Sequence, residues 1–309
     1  MSRNETSKNK TTAALLLAFA TAFGMAQEVV AAADRSSSSS ASKSDQQSEA
    51  TKQTLLKEKQ RKVEHEAQEV IQETRNALLA FQKQDSAKAM ALLQEVSGKL
   101  DILLARHPDL KLIPANVEAD VYDLDSDPEQ VAKMVDTADD LLDDDKVQDA
   151  RYILSALVSE IRISTTSIPL GIFPDAIKEA AALGDQGKTD EAAEALSATL
   201  SMLVKTTDII PLPVLRAEAL LSEAAQLEHQ NDLSQEQSRS EVLKVTDAAK
   251  QQLKLAQALG YGDKEDYETL YDSIDGIKDV IHSEKSAETW NRIKQSLKDF
   301  KNKMMHSKK

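Results

Sequence analysis

The stretches "DARYILSALVSEIRISTTSIPL" (149–170) and "EAAEALSATLSMLVKTTDIIPL" (191–212) align without a gap at an offset of 42 residues. They share Ala150/Ala192, Leu154/Leu196, Ser155/Ser197, Ala156/Ala198 and a terminal Ile-Pro-Leu. In each, an alanine opens an apolar face, large apolar residues follow at helical spacing, and the stretch runs into Ile-Pro. The residue before a proline is pushed out of the α region, so Ile168 and Ile210 should be extended. Each Ile-Pro therefore reads as a corner between helices. Leu170, Ile172 and Phe173 after the first, and Leu212, Val214 and Leu215 after the second, are apolar neighbours that would pack it. A divergent third copy starts at Ala89 and reaches Ile113-Pro114 with six more residues before its Ile-Pro.

Composition points the same way. Eight Gly, seven Pro and 4% aromatics in 309 residues, with Ala, Leu, Glu, Lys and Gln abundant, favour helix over sheet. The expectation is an all-α fold: a globular multi-helix bundle with internally duplicated helix-corner units and a long N-terminal helix. A helical-hairpin solenoid is the alternative, because "ALGDQGKTDEAAEAL" has the helix, Gly-turn, helix cadence of such arrays. The long helix would start near Leu55 and carry Val63, Ala67, Val70, Thr74, Leu78 and Phe81 along one stripe. Ser86 would cap a second helix, which ends at His107-Pro108. Further helices are expected over 238–260, stopped by Gly260, over 266–282, and over 287–305, with Trp290, Ile293, Leu297 and Phe300 on one side.

Several chemistries are excluded. The absence of cysteine removes disulfides, thiolate zinc sites and thiol catalysis. A net charge of −14 argues against broad nucleic-acid binding, which needs clustered cations. The five histidines form no metal-ligand spacing, and no nucleophile elbow, phosphate-cradling loop or dinucleotide fingerprint is present. Asp123, Asp125 and Asp127 alternate like the start of a calcium loop. Pro128 and Met134 stand where that loop needs Gly and Glu, so Asp127 reads instead as a helix cap with Pro128 in the first turn and Gln130 closing a capping box. No cofactor, metal or catalytic residue is expected, and the chain reads as non-enzymatic.

The ends carry their own signals. Arg3, Lys8 and Lys10 precede the apolar run "AALLLAFATAFGMA" (13–26), followed by small residues. This is the pattern of a secretory signal, cleaved after Ala33 or Ala26. The expected organisation is a signal peptide over 1–33, a disordered Ser-rich spacer over 34–51, a helical domain over 52–260 and a C-terminal helical extension over 261–309. No stable membrane insertion is expected once the signal is removed. The segment 118–149 holds thirteen carboxylates against Lys133 and Lys146. Within it Asp136, Asp139, Asp140, Asp143, Asp144 and Asp145 form a candidate pH-sensitive patch, whose repulsion protonation would relax. The end, 290–309, holds seven basic residues and one acidic, suited to an acidic neighbouring subunit or anionic headgroups.

With "KLIPANVEADVYDL", "SIPLGIFPDAIKEAAALGDQGKTDEAAEALSATLSMLV" and "DIIPLPVLRAEALLSEA" on the page, the chain resembles the YfdX family of enterobacterial and related proteins over about residues 60–260. The resemblance implies an all-helical, oligomeric periplasmic protein without established catalytic activity. Family members sit among genes for acid and other envelope stress, some in mobile islands conferring heat tolerance beside chaperones and proteases. The functional expectation is a stress-tolerance protein that binds unfolded envelope proteins or a dedicated envelope partner and forms homo-oligomers. Val63, Val70, Leu78, Phe81, Leu170, Ile172, Phe173, Leu212 and Leu215 are its candidate interaction surface. The alternative is a small-molecule-binding protein with a pocket between the duplicated units.

Overall fold

The computed structural model describes residue 46 and residues 49–230, 235–281, 283 and 285–306. The candidate export signal, both cleavage sites and residues 34–45 of the spacer lie outside the described residues. A helix α1 covers 49–60, so helix already occupies the end of the expected spacer. The chain continues as α2 (His65–Gln82), α3 (Ser86–Arg106), β1 (Leu112–Tyr122), α4 (Pro128–Asp143), α5 (Val147–Ala156), β2 (Glu160–Pro169), α6 (Phe173–Asp185), α7 (Thr189–Ser201) and β3 (Val204–Pro211). It closes with α8 (Leu212–Gln230), α9 (Glu236–Ala258), α10 (Lys264–Val280) and α11 (Ser286–His306). The fold is mostly helical, as composition predicts.

The expected corners are corrected by a three-stranded antiparallel sheet of order β1-β2-β3. Ile113, Ile168 and Ile210 are extended, but as ladder residues: Ile113 lies opposite Ile168, and Ile161 opposite Ile210. The reason is legible in the residues before each Ile-Pro. "EIRISTTSI" and "VKTTDII" are rich in β-branched side chains, whose stiff χ1 fits a pleated surface better than a helix. The prolines sit where a ladder tolerates a missing N–H. Pro169 and Pro211 end their strands, and Pro114 lies at a bulge in the edge strand β1.

That bulge divides the sheet. It falls between Pro114 and Asn116 and reverses the alternation of β1. Ile113 and Ala115 therefore join the core formed by α2, α3, α6 and α7, while Val117 joins Ile161, Ile163, Ile210, Leu212 and Leu215 in another. A further core links α8, α9, α10 and α11, and includes Trp290, Ile293, Leu297 and Phe300. The apolar side predicted for the last helix is thus covered within the chain.

Two helix boundaries differ from expectation. The single long N-terminal helix is broken: a turn at Arg61 and Lys62 separates α1 from α2. Glu64 is extended (φ −82°, ψ 130°), and its N–H donates to the Pro114 carbonyl at 3.2 Å, tying the break to β1. Asp85, not Ser86, caps α3, accepting from the Lys88 N–H at 3.2 Å. At α4 the expected cap holds: Asp127 Oδ1 accepts from the Gln130 N–H at 2.8 Å. The Gln130 side chain donates to Asp127 Oδ2 at 2.7 Å rather than closing onto the backbone.

Candidate functional site

The nine candidate surface residues mostly lie inside the fold. Val70, Phe81, Leu170, Phe173, Leu212 and Leu215 are buried. Val63 and Leu78 are half-buried against core clusters. Ile172, 54% exposed, is the one presented to solvent. The helical stripe did mark an apolar face, and α3, α6 and α7 cover it.

Exposed apolar side chains also group in an antiparallel hairpin, α4–α5, whose sequence is dominated by aspartates. Val131 and Ala138 of α4, and Ala150 of α5, are its buried residues. On the other side of the hairpin seam Val135, Leu142, Val147 and Leu154 are 37 to 53% exposed. Helical geometry explains the grouping. At 100° per residue, Val135 and Leu142 lie about 40–60° round α4 from Ala138, and Val147 and Leu154 lie about as far, in the same sense, round α5 from Ala150. Because the helices run antiparallel, equal rotations in the same sense bring all four to one face of the hairpin. Rotation the other way leads to Met134, which packs with Leu157, Leu255, Ala258 and Leu259 where α4 meets α9.

The six candidate acidic residues frame this hairpin. Asp136, Asp139, Asp140 and Asp143 are exposed along α4, and Asp144 and Asp145 form its tip. Asp145 has φ 61°, in the left-handed region that aspartate tolerates better than most residues. Lys146 Nζ donates to Asp144 at 2.8 Å.

A polar junction that sequence spacing could not reveal lies at one end of the sheet. Glu160, buried at the start of β2, accepts from the Tyr261 hydroxyl at 2.7 Å and from Arg162 Nε. The Arg162 guanidinium stands 4.4 Å over the Tyr122 ring. Beside it Arg216 of α8 grips Asp123 through two bonds of 2.9 and 2.7 Å. The Arg216 bond lowers the Asp123 pKa, against a smaller opposing effect of burial. Burial, reinforced by the bond to Glu160, pushes the Tyr261 phenol well above its ordinary value. The charges are matched and mutually engaged, which suits a joint more than a catalytic pair. Asp123 and Asp127 are thus committed to Arg216 and to a helix cap. Among the described residues no group of three or more His, Asp or Glu side chains is placed to hold a metal.

A cavity of about 460 Å³ runs between α8 and α11. Leu221, Ala225, Trp290, Ile293 and Leu297 give it apolar walls, with Lys294 and His229 among its polar lining. Smaller cavities of about 240 and 120 Å³ adjoin β1 and β3 respectively. The large one lies in the C-terminal helices, outside the repeated units. The basic C-terminal helix also finds acids in its own chain: Lys303 bonds Asp266 at 2.7 Å and Asp263 at 2.9 Å, and Lys301 pairs with Glu218. Among the described residues no helix is long and apolar enough to cross a membrane.

No curated protein matches the chain. Among solved structures, one of YfdX from Salmonella Typhi is similar at 14% identity and a TM-score of 0.35, covering 48% of this chain and 93% of its own length. A family model described as YfdX protein matches residues 70–209. The matched stretch runs from within α2 to within β3, and so takes in the whole sheet except its last residues. Through that region, 70–209, the chain resembles the YfdX family.

Proposed function

We propose that this is a non-enzymatic stress-tolerance protein of the periplasm, exported by its N-terminal signal, that holds partly unfolded envelope proteins or a dedicated envelope partner during heat or acid stress. The observation that carries this reading is the exposed face Val135, Leu142, Val147 and Leu154. An apolar face rimmed by charge is a surface from which water is readily displaced by another apolar chain. The rim of Asp136, Asp139, Asp140, Asp143, Asp144 and Asp145 keeps the face soluble near neutrality, and its protonation makes self-association pH-sensitive.

The test is suppression of aggregation of a heat- or acid-unfolded client by the chain without its first 33 residues, followed by light scattering against an inert protein of similar charge. Suppression at near-stoichiometric ratios, weakened by Leu142→Asp, is the expected result. Failure under both stresses removes general client holding.

A second reading, small-molecule binding, is favoured by the cavity between α8 and α11, whose volume is in the range of ligand sites. A saturable, ligand-dependent rise in melting temperature without client protection would select it.

A further inference from the structure

We propose that the cavity between α8 and α11 binds a single-chain acyl carboxylate, a free fatty acid whose tail lies along the groove and whose carboxylate meets Lys294 and His229. This rests on reading the cavity as a ligand site, the second reading above, and names the chemical class of the ligand.

Shape selects the tail. α8 and α11 run antiparallel and are tied at two levels: the Trp290 indole N–H donates to Glu228, and Lys301 pairs with Glu218. Glu218 and Glu228 lie ten residues apart on α8, a rise of about 15 Å. Between the ties α8 presents Leu221, Ser222 and Ala225, and α11 presents Ile293 and Leu297. The short side chains Ser222 and Ala225 leave space in front of their larger neighbours, and a cavity of about 460 Å³ results. Its floor is apolar, with Leu221, Trp290, Ile293 and Leu297 all buried. An extended alkyl chain advances about 1.3 Å per bond, on the same tetrahedral geometry as the backbone, so a dodecanoate tail spans the distance between the ties.

Charge selects the head. Lys294 and His229 both line the cavity, are exposed, and form no ion pair among the described residues. Side chains on a helix lean towards its N-terminus, and on antiparallel helices those directions oppose. Lys294 therefore leans towards the Trp290 end of the groove, and His229 leans back from that end towards Lys294, so the two converge. The carboxylates at the ties are engaged already, Glu228 by Trp290 and Glu218 by Lys301. In a chain of net charge −14, an ammonium without an acid partner thus stands over an apolar floor, with the Asn291 amide beside it on the rim. A fatty acid gains twice there: its tail leaves water, and its carboxylate takes a charge-assisted bond. A neutral or cationic amphiphile of the same length gains only the first.

The full chain, expressed with its own signal and purified, tests this through Trp290, its single tryptophan. Dodecanoate below its micelle concentration should shift the Trp290 emission and saturate at one molecule per chain. Along hexanoate, octanoate, decanoate and dodecanoate, each added pair of carbons should tighten binding about ten-fold. Dodecyltrimethylammonium should bind more weakly than dodecanoate. Lys294→Gln, at an exposed position, should weaken dodecanoate by at least about three-fold and leave the cationic amphiphile unaffected, and Lys294→Glu should reverse the preference. Ala225→Leu, with its helical circular dichroism retained, should abolish the response to both.

Cationic amphiphile binding as tightly as dodecanoate, or dodecanoate binding indifferent to Lys294→Gln and Lys294→Glu, would overturn the carboxylate assignment and leave the ligand site standing. A response to anionic phospholipid vesicles with none to dodecanoate would overturn it in favour of a membrane contact. No saturable response to any of these amphiphiles would remove the proposal and the small-molecule reading together.

Discussion

The Tyr261 hydroxyl donates to Glu160 Oε2 at 2.7 Å, and the Ser159 N–H donates to the same hydroxyl at 3.2 Å. Tyr261 follows α9, and Glu160 opens the central strand, so one phenol joins the family region to the C-terminal helices. Its burial among charged partners makes this a joint with a specific cost of breakage. Tyr261→Phe keeps the ring and removes the donor, leaving a buried carboxylate with Arg162 as its remaining side-chain donor. The expected loss is about 1–3 kcal/mol in urea unfolding, with the sheet retained in circular dichroism.

The neighbouring Asp123–Arg216 pair gives the joint an acid dependence. Asp123 is held below the usual aspartate value by the Arg216 bond, so below about pH 4 the unfolded chain binds the extra proton more readily. The pair's contribution is present above that range and is lost as pH falls through the folded-state value. Urea midpoints for the native chain should therefore drop between about pH 5 and pH 3 more steeply than those for Asp123→Asn. Parallel curves would show that the pair carries no acid sensitivity.

Gly184 of α6 is where the core leaves no room for a methyl group. A Cβ there would stand 2.7 Å from Phe81 Cζ and 2.8 Å from Met90 Sδ. Phe81 is fully buried and cannot swing away. Although alanine is the better helix former, Gly184→Ala should destabilise by about 1–3 kcal/mol through overpacking. Phe81→Leu in the same background should recover part of the loss, as measured by thermal melting.

Trp290 is the single tryptophan of the chain and lines the cavity between α8 and α11. Its indole N–H donates to the buried Glu228. An apolar ligand entering the cavity should shift and saturate the fluorescence of Trp290, and a bulky Ala225→Leu change should block that response. Trp290→Phe should lower stability by about 1–3 kcal/mol, because Glu228 loses a buried donor.

The two Ile-Pro-Leu stretches carried more information than a helical reading took from them. Proline restricts its predecessor, which placed Ile113, Ile168 and Ile210 in extended backbone. What they joined was missed, although Ile161, Ile163, Thr165 and Ser167 alternate with period two. In a chain so rich in helix formers, that short β-branched run was read as a link. The helical stripe from Ala67 to Phe81 was legible as an apolar face, but periodicity does not say what covers it. The hairpin face was obscured for a related reason: Val135, Leu142, Val147 and Leu154 are interleaved with aspartates, and charge dominated the reading of that segment.

By itself the sequence determined the helical class, the cap at Asp127, a family resemblance and the absence of thiol chemistry, because these depend on composition, local backbone preference and motif. Only the tertiary structure decided which apolar faces are covered, that Tyr261 reaches Glu160 across 101 positions of chain, and that one hairpin keeps an apolar side open. Those facts depend on which elements meet, and long-range packing sets that between side chains whose spacing in the chain carries no trace of it.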